Sequence, residues 1–216
     1  MTNPLAPFRR ALVLCAHTDD ELGCAGTVVR LVEAGVEVHY LALSTCEASV
    51  PDGFAPDVLH HECRACTAHL GVAPERVRLG PFPVRHFPRD RQRILELLVA
   101  LRREIAPDLV LLPSSADTHQ DHAVAHAEGW RAFKHATVLG YEMPQNERAF
   151  APGLYVALGE AELTRKAEAL ALYASQGHRA YTQPDYLRAL ATVRGVQAGV
   201  GLAEAFEVLR WIVPRG

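Results

Sequence analysis

Two short stretches of the chain carry side chains that bind metals and move protons. The first is His17-Thr18-Asp19-Asp20-Glu21, and the second is Asp117-Thr118-His119-Gln120-Asp121-His122. His17, Asp20 and His122 would make a site of two imidazoles and one carboxylate. Three protein ligands with a position open to water is the arrangement of catalytic zinc. Non-haem Fe2+ also takes two His and one carboxylate, so ligand type alone leaves Zn2+ and another divalent metal such as Fe2+ both open. Adjacent residues in a turn point in different directions, so with Asp20 on the metal, Asp19 can face an attacking water as general base. His119 could protonate a leaving group, or stabilise an oxyanion if positively charged. Asp121 could hold such an imidazole in one tautomer and orientation. The sum is metal-assisted hydrolysis of an amide or ester. Each stretch alone also has a plain structural explanation, as a polar helix N-terminus or a solvated loop.

What lifts the pair above that explanation is where the surrounding elements put it. His17 and His122 are far apart in the chain, so only a fold can join them. The run 10–16 is apolar from Ala11 onward and reads as a strand buried on both faces. A helix is expected over 21–34 with Gly35 as its stop, then a strand over 36–43 and a loop over 44–56. Asp57 can cap a helix to Leu70 that Gly71 closes, with a short strand at 76–79. A helix over 90–105 shows Ile94, Leu97, Leu98 and Leu101 on one face, and Pro107 separates it from a strand at 108–113. A polar loop over 114–121 leads to a helix at 122–134. Strands at 137–142 and 154–158, helices at 160–174 and 184–194, and a strand at 206–213 complete the pattern. Strands alternating with helices predict a single Rossmann-like α/β domain over residues 1–216, core about 10–213, with a mostly parallel sheet and helices on both faces. In such a fold the loops leaving the carboxyl ends of the strands hold ligands, and both reactive stretches are such loops.

Composition narrows the function classes. The chain has 216 residues, 49% hydrophobic and 22% charged, which excludes a disordered or fibrous protein. With 22 basic and 25 acidic residues the net charge is −3, which gives no footprint for nucleic acid or an anionic membrane. No apolar run approaches the ~20 residues of a membrane span, and residues 1–10 lack the apolar stretch of a secretory signal, so the expectation is cytoplasmic. Five irregularly spaced cysteines predict reduced thiols rather than a disulfide framework. A homo-oligomer is left open.

The run from His17 through Gly23-Cys24-Ala25-Gly26-Thr27 resembles the AHPDDExxGxxGT signature of the PIG-L/LmbE-like deacetylases, and His119-Gln120-Asp121-His122 resembles their second motif, His-x-Asp-His. The resemblance continues through Gly140-Tyr141-Glu142, Gly195-Val196-Gln197-Ala198-Gly199 and Ala203-Glu204-Ala205-Phe206-Glu207, and so covers about residues 10–213. It implies a zinc-dependent enzyme removing the N-acetyl group from an N-acetylglucosamine-type sugar or glycoconjugate. It implies metal on His17, Asp20 and His122, Asp19 as base, and His119 and Asp121 in electrophilic and orienting roles. Thr18 stands where the family has proline, and Ala25 where it has a second glycine. Ser44-Thr45-Cys46-Glu47 stands where the family has Thr-Asp-Gly-Glu, with Glu47 a substrate-binding candidate; an arginine that the family carries early in the next helix has no clear equivalent, and Arg64 is the candidate to replace it. Tyr141, Glu142 and Asn146, on a loop after a strand, could meet sugar hydroxyls.

Other features read as structure. Cys63-Arg64-Ala65-Cys66 is formally CxxC, but it lies inside an expected helix with no second pair, and buried thiols are the expectation over a redox or zinc motif. His126, four residues after His122, reads as supporting or exposed, and His135 and His178 as surface. Gly23-Cys24-Ala25-Gly26 has the wrong spacing for a dinucleotide loop. The partner is therefore a small N-acetylated amino sugar or its conjugate. A mycothiol- or antibiotic-type amide, or a non-catalytic sugar- or metal-binding module, are the alternatives.

Overall fold

A computed structural model describes residues 8–213, and the expectations placed on residues 1–7 and 214–216 lie outside it. The order along the chain is β1 (Arg10–Cys15), α1 (Ala25–Glu33), β2 (Glu37–Ala42), α2 (Val58–His69), β3 (Val77–Leu79), α3 (Phe87–Ile105) and β4 (Leu109–Pro113). It continues with α4 (Gln120–Ala132), β5 (Thr137–Tyr141), β6 (Leu154–Leu158), α5 (Glu160–Leu170), α6 (Pro184–Ala198) and β7 (Leu202–Arg210). All seven strands join one sheet in the order β3-β2-β1-β4-β5-β7-β6. Strands β1 to β5 pair in parallel, while β7 runs antiparallel to both β5 and β6.

The strand sequences explain why both faces are covered. Along β1, Ala11, Val13 and Cys15 enter one core, and Leu12, Leu14 and Ala16 enter the other. Helices α1, α2, α5 and α6 pack on the first face; α3 and α4 pack on the second. Strand order reverses at β1, which connects onward to β2 on one side and lies beside β4 on the other. That switch opens a crevice between the loops after β1 and β4, where this class of sheet binds ligands.

The expected helix over 21–34 is in fact interrupted. Residues Asp20–Gly23 form a 3-10 turn, Cys24 leaves helical geometry, and α1 starts at Ala25. Two anchors impose the break. Asp20 turns its carboxylate back onto the N–H groups of Ala16 and His17, at 2.8 and 2.9 Å. Glu204 on β7 accepts from the N–H groups of Gly26 and Thr27 at 2.9 and 2.7 Å, which fixes where the helix begins. Gly23 sits where an added Cβ would lie 2.7 Å from the Glu142 carbonyl oxygen, so only glycine allows the turn to approach β5. Ala25 is helical, so replacing a glycine there costs no strain. Strand β7 begins four residues before the expected position because it is paired along both edges.

Candidate active site

The turn after β1 and the N-terminus of α4 meet over the switch point. The Nδ1 of His17 lies 3.0 Å from Nε2 of His122, and one oxygen of Asp20 lies 3.3 Å from that nitrogen and 3.7 Å from the His17 nitrogen. The three donor atoms thus form a triangle with sides of 3.0, 3.3 and 3.7 Å. Ligands at ~2.0–2.2 Å around a tetrahedral ion lie about 3.3–3.6 Å apart, so the spacing suits a divalent cation. A third imidazole, His119, brings a ring nitrogen within 4.8 Å of one on His17 and one on His122.

Each inward-facing imidazole has a carboxylate at its back. Asp117 lies 2.6 Å from Nδ1 of His122, and Asp121 lies 3.1 Å from Nε2 of His17. Such backing fixes ring orientation and raises ligand basicity. Asp20 and the two imidazoles drive one another's ionisation. Despite burial, Asp20 holds the His17 pKa up to about 9 and the His122 pKa up to about 10. The imidazoles in turn hold the Asp20 carboxyl well below its ordinary range against the burial penalty.

Asp121 has a different task from the expected one. It is fully buried, and it orients His17 rather than His119 while also accepting the N–H groups of Arg85 and Phe87. His119 uses Nδ1 to accept the Asp121 N–H at 3.2 Å as the cap of α4. This leaves the neutral ring's proton on Nε2. Burial, then His122 and His17, push the His119 pKa down, so the ring is a neutral donor rather than a cation.

A cavity of about 270 Å³ opens over these groups, with Asp19, Asp20, His17, His119 and His122 in its lining. Asp19 is half-buried there, and burial together with neighbouring Asp20 raises its pKa, which makes it a stronger base. Asn146 also lines the cavity, with its amide nitrogen 3.3 Å from Asp117. The other substrate candidates do not reach it. Arg64 is exposed on α2 with Nε on His60, because its helical position faces solvent. Glu47 points outward while its neighbours Cys46 and Ser49 line the wall. Tyr141 is core, its hydroxyl donating to the Leu14 carbonyl, and Glu142 is paired with Arg194.

Sequence reasoning missed Asp117 as the partner of His122, and Arg85 and Arg179 on the cavity rim. Asp117 lies in the same loop as His119 and His122, but no spacing rule separates a backing carboxylate from a turn former. Cys63 and Cys66 are free, fully buried thiols whose pKa values burial raises, the opposite of a reactive pair. His126 turns to the Pro113 carbonyl at 2.8 Å, and His135 and His178 are exposed. Among the described residues no helix is long and apolar enough to cross a membrane.

Residues 12–133, more than half of the chain, match the family model described as PIG-L, GlcNAc-PI de-N-acetylase. An uncharacterized deacetylase of Escherichia coli strain K12, YaiS, is 27% identical over 165 residues, which cover 74% of this chain and 87% of that one. The structure of the N,N'-diacetylchitobiose deacetylase from Pyrococcus horikoshii superposes with a TM-score of 0.78 at 20% identity, covering 96% of this chain and 86% of that one. GalB of Pseudomonas putida, a 4-carboxy-2-hydroxymuconate hydratase, superposes with a TM-score of 0.75 at 22% identity, covering 96% and 99%.

Proposed function

The chain belongs to the PIG-L family of deacetylases, and we propose that it removes the N-acetyl group from an N-acetylglucosamine-type sugar or glycoconjugate, using a divalent cation held by His17, Asp20 and His122. The fold alone carries no reaction, since a hydratase shares it. The observation that carries the proposal is the triangle of His17, Asp20 and His122 donors with the Asp19 carboxylate beside it in the cavity lining. Asp20 is preferred to His119 as third ligand because its oxygen lies 3.3 and 3.7 Å from the two nitrogens, and because His119 spends Nδ1 on capping α4.

A divalent cation bound there, zinc by the family resemblance, would polarise the acetyl carbonyl and lower the pKa of the attacking water. The protein groups do the rest. Asp19 takes a proton from the water as its oxygen bonds to the carbonyl carbon. The Nε2–H of neutral His119 donates to the carbonyl oxygen as it becomes an oxyanion. Protonated Asp19 then gives its proton to the nitrogen as the C–N bond breaks, leaving acetate and a free amine. Asp117 and Asp121 hold the imidazoles in register throughout.

The test is acetate release from N-acetylglucosamine and N,N'-diacetylchitobiose by the zinc-loaded protein and its Asp19→Asn variant. The wild type is expected to release acetate, and the variant to keep its metal while losing about 10²- to 10⁴-fold in rate. Full activity in the variant would remove Asp19 from the base position.

A further inference from the structure

Two guanidinium groups share the wall of the cavity with the reacting residues; Arg179 lies within electrostatic reach of Asp19, but neither arginine makes a contact ion pair among the described residues. Arg85 sits on the loop between β3 and α3, and its terminal nitrogen donates to Ser49 Oγ at 3.1 Å. Arg179 sits on the loop between α5 and α6, donates to the Tyr181 hydroxyl, and leaves its buried Nε without a partner among the described residues. No carboxylate pairs with either one among the described residues. Elsewhere Arg91 and Arg131 share Glu128, Arg188 meets Glu160 and Arg194 meets Glu142, while Arg30, Arg102 and Arg210 donate to backbone carbonyls away from the cavity.

The backbone adds an independent argument for Arg85. Its φ of 71° lies in the left-handed region that arginine seldom adopts. The strain is held by the catalytic loop itself, since Asp121 accepts the Arg85 N–H and Gln120 donates to the Arg85 carbonyl at 2.8 Å. The same Asp121 carboxylate orients His17. The position of Arg85 is thus tied to the reactive centre, which is where backbone strain persists when it serves a site.

Charge balance decides what the two cations are for. Asp19 and Asp20 are the acidic residues lining the cavity, and a divalent cation on His17, Asp20 and His122 would offset them. Apart from the imidazoles, the remaining polar lining, Ser49, Gln145, Asn146, Gln176 and Tyr181, is neutral. Two guanidiniums are left on the cavity rim, Arg85 exposed and Arg179 half-buried, in a chain whose net charge is −3. A neutral sugar would desolvate them with nothing in return, whereas a carboxylate or phosphate would accept their fork of N–H donors.

We propose that the substrate carries an oxyanion, a carboxylate or a phosphate, in addition to its acetamide, and that Arg85 and Arg179 bind it. This rests on the deacetylase reading for the acetamide end alone. The anion sets specificity: it anchors the sugar at the rim so that the acetamide reaches Asp19 and His119.

The experiment compares kcat/KM for acetate release from N-acetylglucosamine, its 1-phosphate, its 6-phosphate and N-acetylmuramic acid, whose anion is a carboxylate. At least one anionic sugar is expected to exceed the neutral one by about ten- to a hundredfold, the worth of one or two charge-assisted hydrogen bonds. The phosphate and carboxylate arms identify the anion. In Arg85→Met and Arg179→Met that ratio should collapse towards one, and in the Lys variants it should recover in part. Using the ratio cancels any influence of Arg179 on Asp19. Calorimetric binding of the same sugars to the zinc-loaded Asp19→Asn protein separates the two readings. Anion-selective, arginine-dependent binding without acetate release by the wild type would keep this inference and sink the deacetylase assignment. Equal handling of neutral and anionic sugars in turnover, or in binding where there is no turnover, overturns the inference, and the wild-type ratio alone decides this if either arginine variant fails to fold.

Discussion

Asp20 and Glu21 are neighbours in one 3-10 turn, yet they face two regions that treat a carboxyl group in opposite ways. On the cavity side Asp20 meets two imidazoles and two backbone N–H groups, and its pKa falls despite burial. On the core side Glu21 is fully buried and meets only neutral donors. Tyr40 and Tyr173 hydroxyls lie 2.8 and 2.7 Å from its oxygens, and Cys63 and Cys66 pack nearby. Burial wins there, and the Glu21 pKa rises to about 7 against the pull of Cys66, Tyr173 and Tyr40. Both tyrosines also donate towards the Thr18 carbonyl, so the neutral side clamps the backbone on which the charged side is built. The contrast teaches that a buried carboxyl takes its role from the charge around it.

The largest effect should come from removing the charge partners on the cavity side. His122→Ala takes away one corner of the triangle and leaves Asp20 and Asp117 as buried carboxylates without their imidazole. The expected outcome is a fall from about one zinc per chain to nearly none by elemental analysis, with acetate release falling to background. A variant that retained stoichiometric metal would break the comparison, because Asp20 would no longer be the carboxylate that a cation stabilises.

A smaller effect sharpens it. In Asp117→Asn the carboxamide oxygen can still accept from Nδ1 of His122, but the negative charge behind the ring is gone. Metal affinity, or kcat/KM at fixed zinc, should drop about 10- to 100-fold. A loss below threefold in both would mean that geometry alone, not charge, holds His122.

These positions were unequally legible in the chain. His17 and Asp20 were readable as candidates because their polar turn leaves the carboxyl end of a strand, where this class of sheet holds ligands. His119 and His122 were readable for the same reason after β4. Asp121 was assigned to the wrong imidazole: local spacing suggests His119, two residues away, while the buried side chain reaches His17 from the far side of the switch point. Arg85 and Arg179 lie on loops without periodicity, and their significance comes from what surrounds them in space. Arg64 was chosen by its place along a helix, but helical phase turned it outward. The fold itself was readable because alternation on two faces leaves a mark in every strand, as it does in β1. What escaped was the turn at Cys24, set by Glu204 from the far end of the chain.

The smallest effect tests the core side. A carboxyl whose folded pKa stands near 7 against an ordinary 4.5 keeps its proton in the native state over a range where the unfolded chain has lost it. Its contribution to stability is therefore fully present below pH ~4.5 and is lost as pH rises through about 7, for a total on the order of 3 kcal/mol. Glu21→Gln is uncharged at every pH and roughly the same size, so it should erase this slope. Thermal melts of metal-loaded wild type and variant should nearly coincide at pH 5 and separate by pH 8, with the variant the more stable. Taking the difference between the two curves cancels the titration of His17 and His122, which both proteins share. Acetate release at pH 7 should stay within a few-fold of wild type, because Glu21 touches the cavity only through the Thr18 carbonyl. If the curves instead run parallel from pH 5 to 8, Glu21 is ionised in the native protein and the two sides of the turn are electrostatically alike. If the variant loses its zinc, the tyrosine clamp is part of the metal site, and the division between the two regions fails.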